Sequence, residues 1–178
     1  RTPEVQSEVR RLAEETGKSA AEVESNVARY LREMSADFSM AYVELMCVIM
    51  TVLLDRLYSE TVIDLEGLEG VREAGRKAPL ILLPCHRSHV DYLLISYVFY
   101  VNGLITPHIA AGANLNFFPI GKIFRRSGAF FIRRSFRDNE TYRVTFREYL
   151  RKLVREGYWI EFFPEGGRSR TGKMLPPK

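Results

Sequence analysis

Four short apolar runs, each followed by polar residues or glycine, recur from residue 79 onward: PLILLPC (79–85), ITPHIAA (105–111), GAFFIRR (128–134) and YWIEFFPEGG (158–167). Helix-like stretches separate them. DYLLISYVFYV (91–101) suits a helix, and NETYRVTFREYLRKLVREG (139–157) is amphipathic and stops at Gly157. Alternating strands and helices of these lengths predict an α/β architecture, a largely parallel sheet flanked by helices. In such a sheet the polar residues just past the strand ends collect in one crevice, where ligands bind. His86, Arg133, Arg134 and Glu165 all follow predicted strands, so one shared site is expected.

The preceding third reads as helices. Thr2-Pro3 resembles an N-cap with proline at the first helical position, and Val5, Val9 and Leu12 recur at helical spacing. Ser19 to Glu22 is a capping-box pattern, and Val23, Val27, Leu31 and Met34 continue one apolar face. A third helix near 38–58, apolar on most sides, is expected at the centre of a small bundle. No residue here points to chemistry. The expected organisation is an N-terminal helical domain over 1–60 and an α/β domain over 61–178.

Charge divides along the same line. Residues 1–70 carry 7 basic and 14 acidic side chains, whereas residues 71–178 carry 19 and 8. The basic part therefore calls for an anionic partner: phosphate, coenzyme, nucleic acid or lipid headgroups. With 46% apolar and 27% charged residues, the composition is that of a folded protein. Two widely separated cysteines, Cys47 and Cys85, suggest reduced thiols in a cytoplasmic setting rather than a disulfide framework. No signal peptide is visible, and the start at Arg1 and end at LPPK read as a piece of something longer.

A bilayer span takes about 20 apolar residues. LMCVIMTVLL (45–54) is too short, and the uncharged stretch 92–121 is broken by Asn102-Gly103, Pro107 and Asn114. Both read as core, although a helix with one lipid-facing side fits the first.

Three constellations carry chemistry. An imidazole at a strand end with a carboxylate five residues on, His86 and Asp91, can act as a base and its orienting partner. Ser88 to Asp91 also matches a capping box, in which Asp91 only satisfies the helix start. Spacing alone leaves both open. A metal set of His86, His89 and Asp91 is the weaker reading, for want of further ligands, and His89 reads as a helix-start residue. Cys85, alternating with His86 on a strand, is expected to face the core. The run KIFRRSGAFFIRRSFR (122–137) holds Lys122, Arg125, Arg126, Arg133, Arg134 and Arg137 with no acid among them. Arginine forks suit phosphate, and only one of Arg133 and Arg134 is expected to face the crevice. Last, FFPEGGRSRTGK (162–173) joins Glu165, Gly166, Gly167, Arg168, Ser169, Arg170 and Thr171, an anion-binding turn without Walker spacing.

HRSHVD, GAFFIRRSF and FPEGGRSRTG, in this order, resemble the first three motif blocks of the glycerol-3-phosphate 1-O-acyltransferase family, nearest to its long, membrane-associated bacterial members. The similarity is dense from about residue 79 to 178 and looser before. It implies His86 as general base and Asp91 as its partner. It implies Arg133 or Arg134 on the substrate phosphate, and Glu165, Gly166, Gly167, Arg168 and Ser169 on glycerol phosphate. The implied reaction moves a fatty acyl group from acyl-CoA or acyl-carrier protein to the 1-hydroxyl of glycerol 3-phosphate, giving lysophosphatidate, the first step of phospholipid synthesis. No metal or cofactor is implied. The enzyme would sit peripherally on an anionic membrane, at the cytoplasmic face of a bacterial inner membrane. A fourth block, linked to the acyl site, would lie downstream. Alternatives are a dihydroxyacetone-phosphate acyltransferase or a non-catalytic module for phospholipids or anionic membranes. Nucleic-acid binding is not expected, because the basic residues cluster at strand ends.

Overall fold

The computed structural model describes residues 3–59, 62–88, 90–136, 138–169, 171 and 173–177, with side chains from residue 6. Thr2, His89, Arg137, Arg170 and the side chain of Val5 lie outside the described residues.

The helical third contains α1 (Pro3–Thr16), α2 (Ala20–Met34) and α3 (Met40–Leu57), followed by α4 (Leu65–Lys77). Then come β1 (Ile81–Leu82), α5 (Asp91–Val101), β2 (His108–Gly112), α6 (Ile120–Arg126), β3 (Ala129–Ile132), α7 (Glu140–Arg155) and β4 (Ile160–Glu161). The four strands form one sheet in the order β1-β4-β2-β3, with every pairing parallel. His108 and Ile81 both lie opposite Ile160. Ile109 pairs with Ala129, and the register runs on to Gly112 opposite Ile132. All four carboxyl ends therefore open on the same edge, as the strand–helix alternation predicts.

β1 and β4 are much shorter than the apolar runs that announce them. Pro84 has no N–H to add to the ladder, and beyond β4 the chain turns at Pro164 and at Gly166, whose φ is +59°. Helix α4 has no counterpart in the sequence expectations. Three glycines within it (Gly67, Gly70, Gly75) weaken the local helical signal, yet Asp64 caps it by accepting the Gly67 N–H at 2.9 Å. Gly75 is required by packing: a Cβ there would come within 2.0 Å of the Trp159 ring.

Alternation along the strands builds two cores. Phe130 and Ile160 meet Tyr30 and Met34 of α2 and Tyr142, Tyr149 and Leu153 of α7 on one face. On the other face Ala111, Ala129 and Phe131 pack near Phe124 of α6, while Trp159 packs with Leu68 and Phe99. Helix α1 joins α2 and α7 through Val9, Leu12, Val23 and Val144.

Helix α3 departs from expectation. It is not the centre of a bundle. Val43, Cys47, Met50 and Leu54 face inward, whereas Leu45, Val48, Ile49 and Val52 are exposed, Val48 to 63%. A helix apolar on most sides announces that both sides are non-polar, and not which neighbours cover them.

Three arginines of the 122–137 run are spent on the acidic third. Arg125 donates to the carbonyl oxygens of Glu33 (2.7 Å) and Ser35 at the end of α2, where unpaired carbonyls favour a cation. Arg126 lies 4.8 Å from the Tyr42 ring centroid and 3.6 Å from Asp37. Arg133 grips both oxygens of Glu33, at 2.6 and 2.5 Å, and lies 5.0 and 4.9 Å from the ring centroids of Tyr30 and Tyr142. Part of the anionic partner that the charge asymmetry calls for is thus the protein's own N-terminal third.

Candidate active site

His86 stands four residues past β1, in a loop that two connections lock to the loop after β4. Its backbone N–H donates to Glu165 Oε1 at 2.8 Å, and its carbonyl accepts the Ser169 N–H at 2.9 Å. Since β1 and β4 are adjacent parallel strands, their two trailing loops leave the sheet side by side and can bond this way.

The imidazole is 4% exposed. Its Nδ1 lies 3.2 Å from Asp91 Oδ2, and its Nε2 lies 2.9 Å from the Tyr92 hydroxyl. A carboxylate oxygen only accepts, so Nδ1 carries the proton and Nε2 presents its lone pair to the tyrosine O–H. Asp91 Oδ2 also accepts the N–H groups of Arg87 and Ser88, each at 2.6 Å. One oxygen thus meets both the histidine ring and the backbone just ahead of α5, whose N-cap residue, Val90, makes no side-chain cap bond. Ser88 Oγ accepts the Val90 N–H at 3.1 Å.

Cys85 and His86 reverse their expected burial. His86 is enclosed, while Cys85 is half-buried. Both lie beyond the last residue of β1, so strand alternation does not govern them. Glu165 is buried, with Oε1 on the His86 N–H and Oε2 on the Leu175 N–H at 2.8 Å. These backbone N–H bonds hold its carboxyl below the usual carboxylate range. Each oxygen holds a backbone N–H of another segment, so this residue shapes the loop.

The loop that Glu165 braces presents Gly166, half-buried Gly167 and exposed Arg168, and buries Ser169. Arg168 is close enough to the Tyr92 hydroxyl to act on it electrostatically. Arg134 is exposed just past β3, and neither it nor Arg168 has an ion-pair partner among the described residues. Arg133, by contrast, turns away to Glu33. The structure thus brings His86, Asp91, Glu165 and Ser169 into direct contact, with Arg168 beside them, and leaves Arg133 committed elsewhere. Among the described residues no three His, Cys, Asp or Glu side chains are placed to hold a metal.

Three residues escaped the sequence reading. Tyr92 and Phe163 enclose the imidazole, with ring centroids 4.8 and 4.4 Å from it. Glu161, in β4, is 0% exposed, and both its oxygens lack partners among the described residues. Burial, aided by nearby Asp91, pushes its carboxyl up to about 8, so it is largely neutral at pH 7. Its signal was in view: a lone acid inside the bulky run YWIEFF has no ordinary reason to be there. Tyr92, with Cys47, Met50, Ser96, Ile109 and Ala129, also lines an apolar cavity between α3, α5 and the sheet.

A histidine oriented by a carboxylate, with exposed guanidinium groups past β3 and β4, is an arrangement suited to general-base chemistry on a hydroxyl. Comparison with known proteins narrows this. A family model described as Acyltransferase matches residues 62–178, and the chain belongs to that family. It is 50% identical over 168 residues to a glycerol-3-phosphate acyltransferase of Shewanella woodyi, covering 93% of this chain and 21% of that protein. It is 47% identical over 178 residues to one of Pseudoalteromonas translucida (99% and 22%), and 52% identical over 150 residues to one of Shewanella frigidimarina (84% and 18%). The chain spans about a fifth of the length of these curated relatives.

Proposed function

We propose that this chain is the catalytic part of an enzyme that moves a fatty acyl group from acyl-CoA or acyl-carrier protein to the 1-hydroxyl of glycerol 3-phosphate, giving lysophosphatidate. The observation that carries the reading is the His86 ring, held at Nδ1 by Asp91 and presenting its Nε2 lone pair to a hydroxyl at 2.9 Å. In the reaction Nε2 takes the proton of the substrate alcohol, and the alcohol oxygen attacks the thioester carbonyl. The tetrahedral intermediate then expels the thiolate, which recovers the proton from Nε2. Asp91 stabilises the imidazolium between these steps. Arg134 and Arg168 bind the phosphate, and that remote contact orients the hydroxyl. The names of the curated relatives support this acceptor.

Acyl transfer from a radiolabelled donor, measured with the full-length protein, tests the reading. Glycerol 3-phosphate should be preferred to dihydroxyacetone phosphate. Arg134→Ala and Arg168→Ala should each raise the acceptor KM about 10-fold or more, as loss of a charge-assisted hydrogen bond implies, with a smaller change in kcat. No transfer, or no dependence on either arginine, would sink it; preference for dihydroxyacetone phosphate would select that acceptor instead.

No helix among the described residues is long and apolar enough to cross a membrane. The exposed Leu45, Val48, Ile49 and Val52 of α3, with Phe117 and Phe118 before α6, support peripheral seating on a membrane, which the proposed reaction puts at the cytoplasmic face of the inner membrane. Val48→Glu combined with Val52→Glu should then release the full-length protein from anionic phospholipid vesicles in flotation; unchanged flotation would exclude this face.

A further inference from the structure

The acceptor alcohol needs His86 Nε2, and in this structure that position is taken. A neutral imidazole has one lone pair, and the Tyr92 hydroxyl uses it at 2.9 Å. The surroundings leave little room for a second oxygen: the His86 ring is 4% exposed, and Phe163 packs on both His86 and Tyr92, with centroids 4.4 and 4.8 Å away. Tyr92 also lines the apolar cavity between α3, α5 and the sheet. Being next to Asp91 at the start of α5, it is carried by the same helical turn that orients the base.

We propose that Tyr92 is a gate on the base, its hydroxyl holding the acceptor's place on His86 Nε2 until the substrate alcohol displaces it, so that water is not activated against the acyl thioester. The exchange conserves hydrogen bonds at the base. One O–H leaves Nε2 and another arrives, so the cost is mainly that of turning the tyrosine. Water could make the same bond but lacks the phosphate that anchors the true acceptor at the arginines. The gate thus separates two alcohol-like nucleophiles by binding energy remote from the reacting oxygen. Were it open, water would give its proton to Nε2 and its oxygen would attack the thioester carbonyl. The thiolate would leave with that proton, producing a free fatty acid and a thiol. This inference rests on the acyl-transfer reading above.

The test is Tyr92→Phe in the full-length protein, which removes one oxygen and keeps the ring packing. Hydrolysis of the acyl donor without acceptor should rise at least about 10-fold, and transfer to glycerol 3-phosphate should stay within about 5-fold of the parent, both smaller than the roughly 10²-fold or more that loss of a general base itself would cost. A second readout needs no acyl chemistry: carbethoxylation of His86 by diethyl pyrocarbonate should be faster in Tyr92→Phe and faster again in Tyr92→Ala. Unchanged hydrolysis and unchanged modification would overturn the gate. So would a loss of transfer of about 100-fold or more, which would make the hydroxyl a proton relay. If the parent protein transfers no acyl group, the acyl-transfer reading itself fails, whatever the modification rates show.

Discussion

His86→Ala in the full-length protein should lower kcat for acyl transfer by about 10³-fold, within the range a positioned general base supplies. The affinity for glycerol 3-phosphate should remain within about threefold, because the phosphate is assigned to arginines that do not touch the ring. The split is the informative part. An alcohol ionises far above neutral pH, so without a base its oxygen is a poor nucleophile, whereas ground-state binding is set by charge. Single-turnover transfer together with calorimetric titration of glycerol 3-phosphate checks both. Transfer within tenfold of the parent would remove His86 from the mechanism. Equal loss of binding and transfer would favour a non-catalytic phosphate-binding module.

Glu161→Gln should stabilise the protein, and the gain should grow with pH. Burial raises the Glu161 carboxyl from its ordinary 4.5 to about 8, so the folded state holds this proton more tightly than the unfolded state. The stability from that preference is complete below about pH 4.5 and is lost as pH rises toward 8. Across that window the loss is on the order of 4 kcal/mol. Glutamine has the same shape and no proton to release, so its stability should lack this decline. Urea denaturation from pH 5 to 9 is the measurement, and parallel curves for parent and variant would show that Glu161 is not held neutral. His108 cannot imitate the effect. Its burial lowers its value from 6.5 to about 4, which confines its contribution to the acid side.

The sequence reading followed the sheet closely and the site in part. Strands were legible because PLILLPC, ITPHIAA, GAFFIRR and YWIEFF are short, apolar-rich runs set between helix-like stretches. α4 was not, because Gly67, Gly70 and Gly75 hide a helix whose stability comes from packing on Trp159. His86 and Asp91 were legible because their pairing is local, closed between the loop after β1 and the first residue of α5. Glu165 was visible as a residue, but its use was not: its partners are the N–H groups of His86 and Leu175, the first 79 residues away. Arg133 shows the same limit. Its chemistry suits phosphate, and its neighbour in space is Glu33, 100 residues earlier.

By itself, the order of residues determined the layered α/β arrangement, the common edge on which His86, Arg134 and the Glu165 loop emerge, and the nearness of His86 to Asp91. Each of these follows from periodicity or from contacts a few residues apart. Tertiary structure alone decided which arginines remain open, that α3 keeps an apolar side uncovered, and that a tyrosine hydroxyl occupies the base. It also decided that a carboxyl lies sealed in the sheet. Those outcomes depend on which surfaces meet, and a side chain's chemistry specifies the kind of partner it can take without specifying which partner the fold brings within reach.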